Sequence, residues 1–461
     1  MDSTMIRKNL LVAFLFGALA WLQAAPLSAQ QVTVPGGATA TMVWQYSPQC
    51  GAGNDYPDVP ARPFLVTRPV PAVLWLAANA NGFYASVGLG WGPDMLALLQ
   101  RGTAAGPTCL PWLPLPNYPR SSPQSYNTGL WMVAPITTDG TNIQALVHNE
   151  FHGEWTGDTS LCWLQNPQSS IFLPCNYWNM VSASSSNGGL GFFQLLQRPA
   201  GTNVPAVALG QPYQVPSDAN TPTMLPQGMT AQSNILQVGQ YYYVLVQQLP
   251  YQAPGTKTPP QSGVCLYRAL VVPPPGGPLT WRGWDGNNYT VAVPPSYPAA
   301  NSWPLCQPQL GSQFRFSWSY NKELGQIIIV GQDLIANVNT NGCHIAPKAT
   351  AATVDSAFVY MTATLDAAGH FSPQTPETCL LQINSMANWQ GSPSVTGQAY
   401  PSLLDPMSPE LSPGDLNFMY SGKKPFLYFT QLNPVGDNNP NGYVRDLVRL
   451  PLTVTGGTTS R

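Results

Sequence analysis

Residues 138–150 read TDGTNIQALVHNE: a turn carrying Gly140, a run of apolar and branched side chains, and a polar ending at His148, Asn149 and Glu150. The phrase returns at 237–248 as QVGQYYYVLVQQ, at 323–333 as ELGQIIIVGQD and at 420–431 as YSGKKPFLYFTQ, roughly every hundred residues. A weaker copy at 69–79, PVPAVLWLAAN, keeps the strand and ends on Asn79 but lacks the glycine. A branched and aromatic run bounded by a glycine turn reads as a strand. When a unit of several strands repeats, each copy covers its faces by stacking on its neighbours. Five copies in one chain predict an all-β fold, a five-bladed β-propeller in a single domain.

Composition agrees. Past residue 29 about 430 residues remain, or roughly 86 for each of five blades, room for four strands and long connections. The chain holds 49 Pro and 41 Gly, which break any helical pattern within a few turns and exclude long helices. Charged residues make up only 8%, but 44% is hydrophobic and 11% aromatic, so low charge accompanies a core here and not disorder. A formal net charge of −2 with no Lys/Arg cluster excludes nucleic acid and anionic membrane surfaces as partners. A monomer is expected.

The first 29 residues read as a signal peptide: Arg7 and Lys8, an apolar stretch from Leu10 to Leu22, then small residues up to Ala29. The apolar stretch is shorter than the ~20 residues that a membrane span needs, which points to a secreted or periplasmic protein cleaved near Ala29. Residues 30–461 then form the propeller domain. Its blades fall at about Gln45–Pro116, Gly129–Arg198, Gly228–Trp284, Phe314–Ile383 and Tyr400–Val454. The segment QVTVPGGATATMVW at 31–44 is expected to complete the last blade and close the ring, removing an exposed sheet edge. All eight cysteines lie in the exported part; an even number in an oxidising compartment reads as disulfides. Blade-local contacts favour sequence neighbours: Cys50 with Cys109, Cys162 with Cys175, Cys265 with Cys306, and Cys343 with Cys379.

Several segments together resemble a known group: DVPARPF (58–64), ALVHNEFHG (145–153), GVCLYRAL (263–270) with LTWRGWDG (279–286), SWSYNKELGQIIIVG (317–331), YPSLLDP (400–406), FLYFTQLNP (426–434) and RDLVRLPL (445–452). The chain looks like secreted glycosidase-like five-bladed propellers, related in architecture to the arabinanase, β-xylosidase and invertase clan of glycoside hydrolases. That resemblance implies a funnel at one end of the axis holding three acids. Asp58 stands where the first would be expected. WMVAPI (131–136) puts Ile136 where the clan has its second acid, a departure from that catalytic pattern.

The residues themselves point to the second blade. Side chains alternate along ALVHNE, so His148 and Glu150 share a face and Asn149 takes the other; His152 and Glu154 extend the cluster. A glycosidase needs one carboxyl that keeps its proton near neutral pH and a second as nucleophile or base. On this reading Glu150 is the acid and Asp58 its catalytic partner, with Arg62, His148, His152 and Asp405 binding substrate. The bland readings stand beside it: a His and a Glu bonded within the strand, Asp58 as a turn residue paired with Arg62, and Asp405 opening a turn before Pro406. Asp139 and Asp285, each before Gly, read as turn residues. The 14 Trp and 20 Tyr suit stacking on sugar rings, or the filling of blade interfaces. No metal or cofactor motif is present, although an axial calcium held by carbonyls and waters would leave no sequence trace. Two function classes follow: a glycoside hydrolase acting on an oligo- or polysaccharide, and a non-catalytic propeller binding glycan or protein at its axial face.

Overall fold

A computed structural model describes residues 31–44, 59–66, 72–81, 84–92, 108–110, 122–126, 129–163, 175–188, 194–196, 207–210, 213, 227–230, 233–250, 262–271, 279–292, 304–311, 314–386, 394–434 and 445–456. Regular structure among them is almost entirely strand. No helix among the described residues is long and apolar enough to cross a membrane.

The described chain opens with β1 (Gln31–Thr33) and β2 (Thr41–Trp44). Then β3 (Phe64–Val66), β4 (Ala72–Asn81), β5 (Tyr84–Gly92) and β6 (Thr108–Leu110) pair in order as an antiparallel meander. The next runs β7 (Leu130–Thr137), β8 (Ile143–His152), β9 (Asn176–Ser185), with the short β10 (Gln194–Leu195) and β11 (Val207–Leu209) both on β9. It is followed by β12 (Gln227–Thr230), β13 (Leu236–Val238), β14 (Tyr241–Leu249), β15 (Gly263–Leu270), β16 (Arg282–Trp284) and β17 (Tyr289–Ala292), where β12 and β13 share one edge of β14. Then come β18 (Phe314–Asn321), β19 (Gln326–Leu334), β20 (His344–Ile345), β21 (Ser356–Leu365), β22 (Phe371–Pro373) and β23 (Thr378–Ile383); β18, β19, β21 and β23 form the meander. The last group is β24 (Gly397–Leu404), α1 (Ser408–Leu411), β25 (Tyr420–Ser421), β26 (Phe426–Leu432), β27 (Arg445–Pro451) and β28 (Thr453–Thr455).

The recurring phrase has one place in this scheme. Its copies are β4, β8, β14, β19 and β26, each the second strand of its meander and paired on both sides. That position explains the apolar runs: covered above and below by neighbouring sheets, β14 is buried from Tyr242 to Gln248 and β19 from Ile327 to Gly331. Gly140, Gly239 and Gly325 occupy the turns before β8, β14 and β19 with φ of 68°, 60° and 63°, a conformation that glycine takes without a Cβ penalty. Gly422 serves differently, donating its N–H to Asp405 Oδ2 at 2.8 Å.

Successive meanders pack on one another and the last returns to the first. β7 lies against β3, β4 and β5, β12 pairs in parallel with β9, β18 lies on β14, and β24 lies on β18 and β19. Ala61 and Leu65 then pack with Val43, Leu404, Phe418, Tyr428 and Leu447. As the sequence reading expects, the 31–44 segment finishes the last sheet, β2 pairing antiparallel with β27, while β1 and β28 pair as a separate two-stranded ladder.

Two features tie the ring at its centre. Arg62, buried at 3% exposure, donates from Nε to Val133 O (3.0 Å), from Nη1 to Ala61 O and Ser402 Oγ (both 3.0 Å), and from Nη2 to Phe316 O. It thereby joins β7, β24 and β18. The segment after β24 does the same at the end where the first strands finish. Leu416 O accepts from Leu65 N (2.7 Å), Asn417 exchanges two bonds with Thr137 (2.9 and 2.7 Å), and Met419 meets Gln237 N through sulfur and Tyr320 N through its carbonyl.

Candidate functional site

The opposite end, where first strands begin and second strands finish, carries the polar endings. Along β8 the alternation expected from the sequence holds: His148 and Glu150 are half-buried, whereas Asn149 is fully buried and accepts from Asn179 Nδ2 at 3.1 Å. The His148 ring sits between Trp131 of β7 and Trp178 of β9, with centroids 5.4 and 5.7 Å away. Glu150 stands opposite Trp178 in the ladder and its N–H donates to Gly129 O at 2.9 Å. Its Oε1 accepts from Asn176 Nδ2 (2.7 Å) and Trp178 Nε1 (2.5 Å). Its Oε2 lies 3.7 Å from His152 Nε2. The other ring nitrogen of His152 bonds Glu154 Oε1 at 2.9 Å, and Glu154 is completely buried in the 3₁₀ turn Gly153–Trp155. A disulfide between Cys162 and Cys175 closes over that turn, with Gly153 N donating to Cys175 O, and β9 begins at the next residue.

These contacts decide the charges. Burial would raise the pKa of Glu150, but the charge and hydrogen bond of His152, with the charge of His148 and the bond from Asn176, outweigh it and lower the value to about 2. For His152 burial works the other way, and the charge of Glu150 with the hydrogen bonds of both carboxylates raises it to about 9. Burial prevails at His148, lowering it to about 4 in spite of Glu150. At neutral pH the cluster is therefore a carboxylate and an imidazolium beside a neutral imidazole. These contacts favour the ionised form of Glu150, which suits a nucleophile, a base or a binding carboxylate better than the proton donor expected from the sequence.

The other sequence-derived site residues fall elsewhere. Asp58 lies outside the described residues. Arg62 spends its guanidinium on the four acceptors at the ring centre, with burial lowering its pKa to about 9, so it is a structural tie and not a substrate ligand. Asp405 opens a turn: Oδ1 accepts from Met407 N (2.9 Å) and Oδ2 from Gly422 N (2.8 Å). With both oxygens taken by backbone, it too is withdrawn from substrate binding. Asp139 and Asp285 are turn residues as expected, accepting backbone N–H from Thr141 and Asn142, and from Asn287 and Asn288. Ile136 is a buried core residue. The pairs Cys162–Cys175, Cys265–Cys306 and Cys343–Cys379 form; the pairing of Cys50 with Cys109 lies outside the described residues. Glu154, Cys162 and Cys175 come close enough to suggest a metal site, but the two sulfurs are bonded to each other and leave no thiolate.

Sequence reasoning missed Asn176, Trp178 and Trp131. A signal for the first two was available. If Cys175 returns the chain to Cys162 just beyond β8, a strand starting at Asn176 pairs with β8, and alternation puts Asn176 and Trp178 on one face.

No protein-family model matches the chain, and no curated protein does. Among solved structures it is similar to a GH32 β-fructofuranosidase of Bombyx mori, at 10% identity and a TM-score of 0.39, over 89% of this chain and 66% of that one. It is also similar to the catalytic domain of a GH62 α-L-arabinofuranosidase of Coprinopsis cinerea, at 8% identity and a TM-score of 0.38, over 91% and 96%. A third is a putative glycoside hydrolase of Bacteroides ovatus, at 11% identity and a TM-score of 0.36, over 92% and 97%. All three are described as glycoside hydrolases or by such an activity, the class that the sequence resembles, and the likeness extends to no residue role.

Proposed function

We propose that the chain is an exported five-bladed β-propeller, residues 30–461 following a cleaved signal at 1–29, that takes carbohydrate at the face where the second strands end. Glu150 is the working carboxylate of a glycoside hydrolase-like centre. The blades correspond to the meanders led by β3, β7, β12, β18 and β24, and the disulfides suit a secreted or periplasmic setting.

The observation that carries the functional reading is Glu150 itself. It is an ionised carboxylate fixed by Trp178 Nε1 and Asn176 Nδ2, and it keeps 15% exposure beside the half-buried rings of His148 and Trp178. Aromatic faces stack on the C–H faces of a pyranose or furanose, and a fixed carboxylate can accept from a hydroxyl or attack an anomeric carbon. The leaving oxygen then takes its proton from a second carboxyl, for which Asp58 is the sequence-derived candidate. The test is Glu150→Gln, which is nearly isosteric. On a panel of plant and microbial glycans, cleavage should fall by on the order of 10² to 10⁴ while the protein stays folded; undiminished cleavage removes Glu150 from the reaction.

A second reading has its own support. Ile136 is buried where the clan carries its second acid, and Asp405 and Arg62 are consumed by the fold. Those facts favour a propeller that binds glycan without cleaving it. Calorimetry showing glycan binding lost in Glu150→Gln, with no product released by the parent, selects this reading.

A further inference from the structure

We propose that Glu154 is a positioning residue, fixing the ring of His152 so that Nε2 faces Glu150 Oε2. This deepens the preceding section and rests on its reading of Glu150 as the working carboxylate. Glu154 does not touch the proposed ligand face: it is fully buried beside the Cys162–Cys175 disulfide, with His152 between it and Glu150. One of its oxygens bonds His152 Nδ1 at 2.9 Å, and the other has no hydrogen-bond partner among the described residues. A buried carboxylate oxygen without a donor is expensive to fold, and an apolar residue would pack under a disulfide more cheaply. The surroundings nonetheless hold it in place. Gly153 N donates to Cys175 O, Thr156 Oγ1 closes the turn on Gly153 O, and Tyr213 Oη donates to Leu161 O.

The bond to Glu154 keeps a proton on Nδ1 and sets the ring plane. Nε2 is then the nitrogen presented to Glu150, 3.7 Å away. The described groups facing His152 include Glu150 and His148 on its own strand, Glu154 on the following turn, uncharged Asn176 opposite it on β9, and the disulfide, which does not titrate. The arrangement is a chain of carboxylate, imidazolium and carboxylate that keeps Glu150 ionised and stores a proton beside it. A carboxylate acting behind a histidine in this way governs its tautomer and orientation.

The experiment reads the histidine directly. The chain has four His, so two-bond proton–nitrogen spectra of the ¹⁵N-labelled full-length protein can be assigned with single His→Gln variants. In the parent, both ring nitrogens of His152 should stay protonated up to about pH 9. In Glu154→Gln the titration should fall by at least about one pH unit, and Glu154→Asp, which restores the charge, should recover part of the loss. The alkaline limb of glycan turnover or binding should move down with it. A His152 that is neutral at pH 7 in the parent overturns the inference whether or not the Gln variant folds, and so does an unchanged titration in Glu154→Gln. The expected titrations in a protein inert toward every glycan would retain the relay and remove only the functional reading of Glu150.

Discussion

Two ends of the same ring treat buried carboxylates in opposite ways. At the hub, Asp405 accepts from two backbone N–H groups, and Asp415 accepts from Asn417 N, Met419 N and Ser408 Oγ at 2.9, 2.8 and 2.6 Å. Every one of their oxygens is engaged, and burial still raises both pKa values. At the far end Glu150 and Glu154 share one histidine, Glu150 is pushed down, and an oxygen of Glu154 has no donor among the described residues. The difference separates two uses of an acid. Where turns must be fixed, the chain supplies neutral donors and the charge is incidental. Where charge is the purpose, it supplies a counter-charge and tolerates an unmet lone pair.

The comparison can be broken most forcefully at the hub. Asp415→Ala strands two buried donors, Met419 N and Ser408 Oγ, and the half-buried Asn417 N at once, and should lower stability by about 3–5 kcal/mol in chemical denaturation. A loss near zero would mean that the hub segment is not a structural tie. Next in size is the paired change Cys162→Ser with Cys175→Ser, which opens a loop of sequence separation 13 and should cost about 3 kcal/mol in the chain-entropy account. It should also shift the ring signals of His152, because the cover over Glu154 is lost; undisturbed signals would separate the disulfide from the site.

Gly228 tests the link between blades beside the site. Its φ is +112° and an added Cβ would lie 1.9 Å from Trp178 O. Gly228→Ala should therefore cost about 2 kcal/mol and alter Trp178 fluorescence, while a hub substitution of equal cost should not. The smallest effect is that of pH. Glu150 has a depressed pKa, so its stabilisation is present above the ordinary Glu value and is lost as pH falls toward about 2. His152 has a raised one, so its stabilisation is complete below the ordinary His value and is lost as pH rises through about 9. The two limbs share the Glu150–His152 ion pair, to which Glu154 adds on the alkaline side and His148 and Asn176 on the acid side. His148, whose pKa burial lowers to about 4, adds a loss of stability as pH falls below the ordinary His value, so stability should peak near that value and decline on either side, and Glu150→Gln should flatten the alkaline limb in part.

Much of this architecture was legible because it is local. The glycine turn and apolar run identify β8, β14, β19 and β26 with neighbouring residues alone, and period-two alternation puts His148, Glu150 and His152 on one face. Cysteine proximity gives three bridges for the same reason. What stayed hidden is non-local. Arg62 finds Ser402 across 340 positions and Asn417 finds Thr137 across 280, and no pattern in DVPARPF or LLDPMSP announces such partners. The charge state of Glu150 is partly of this kind: His152 and His148 on its own strand lower its pKa most, but the bond from Asn176 comes from the next strand, and no spacing in the sequence weighs these contacts against burial.

The closing pairs also dictate how the ring yields to force. Gln31 faces Thr455, Val32 faces Val454 and Thr33 faces Thr453 in an antiparallel ladder, so tension applied at residues 31 and 455 enters from the same end of the two strands. Such a ladder parts like a zipper, one rung at a time, instead of resisting in shear along its whole length. Under a pulling experiment the molecule should come apart from its rim, β1 leaving β28 before β2 leaves β27. The guanidinium of Arg62 and the bonds of Asn417 would bear load only after the outer strands had gone.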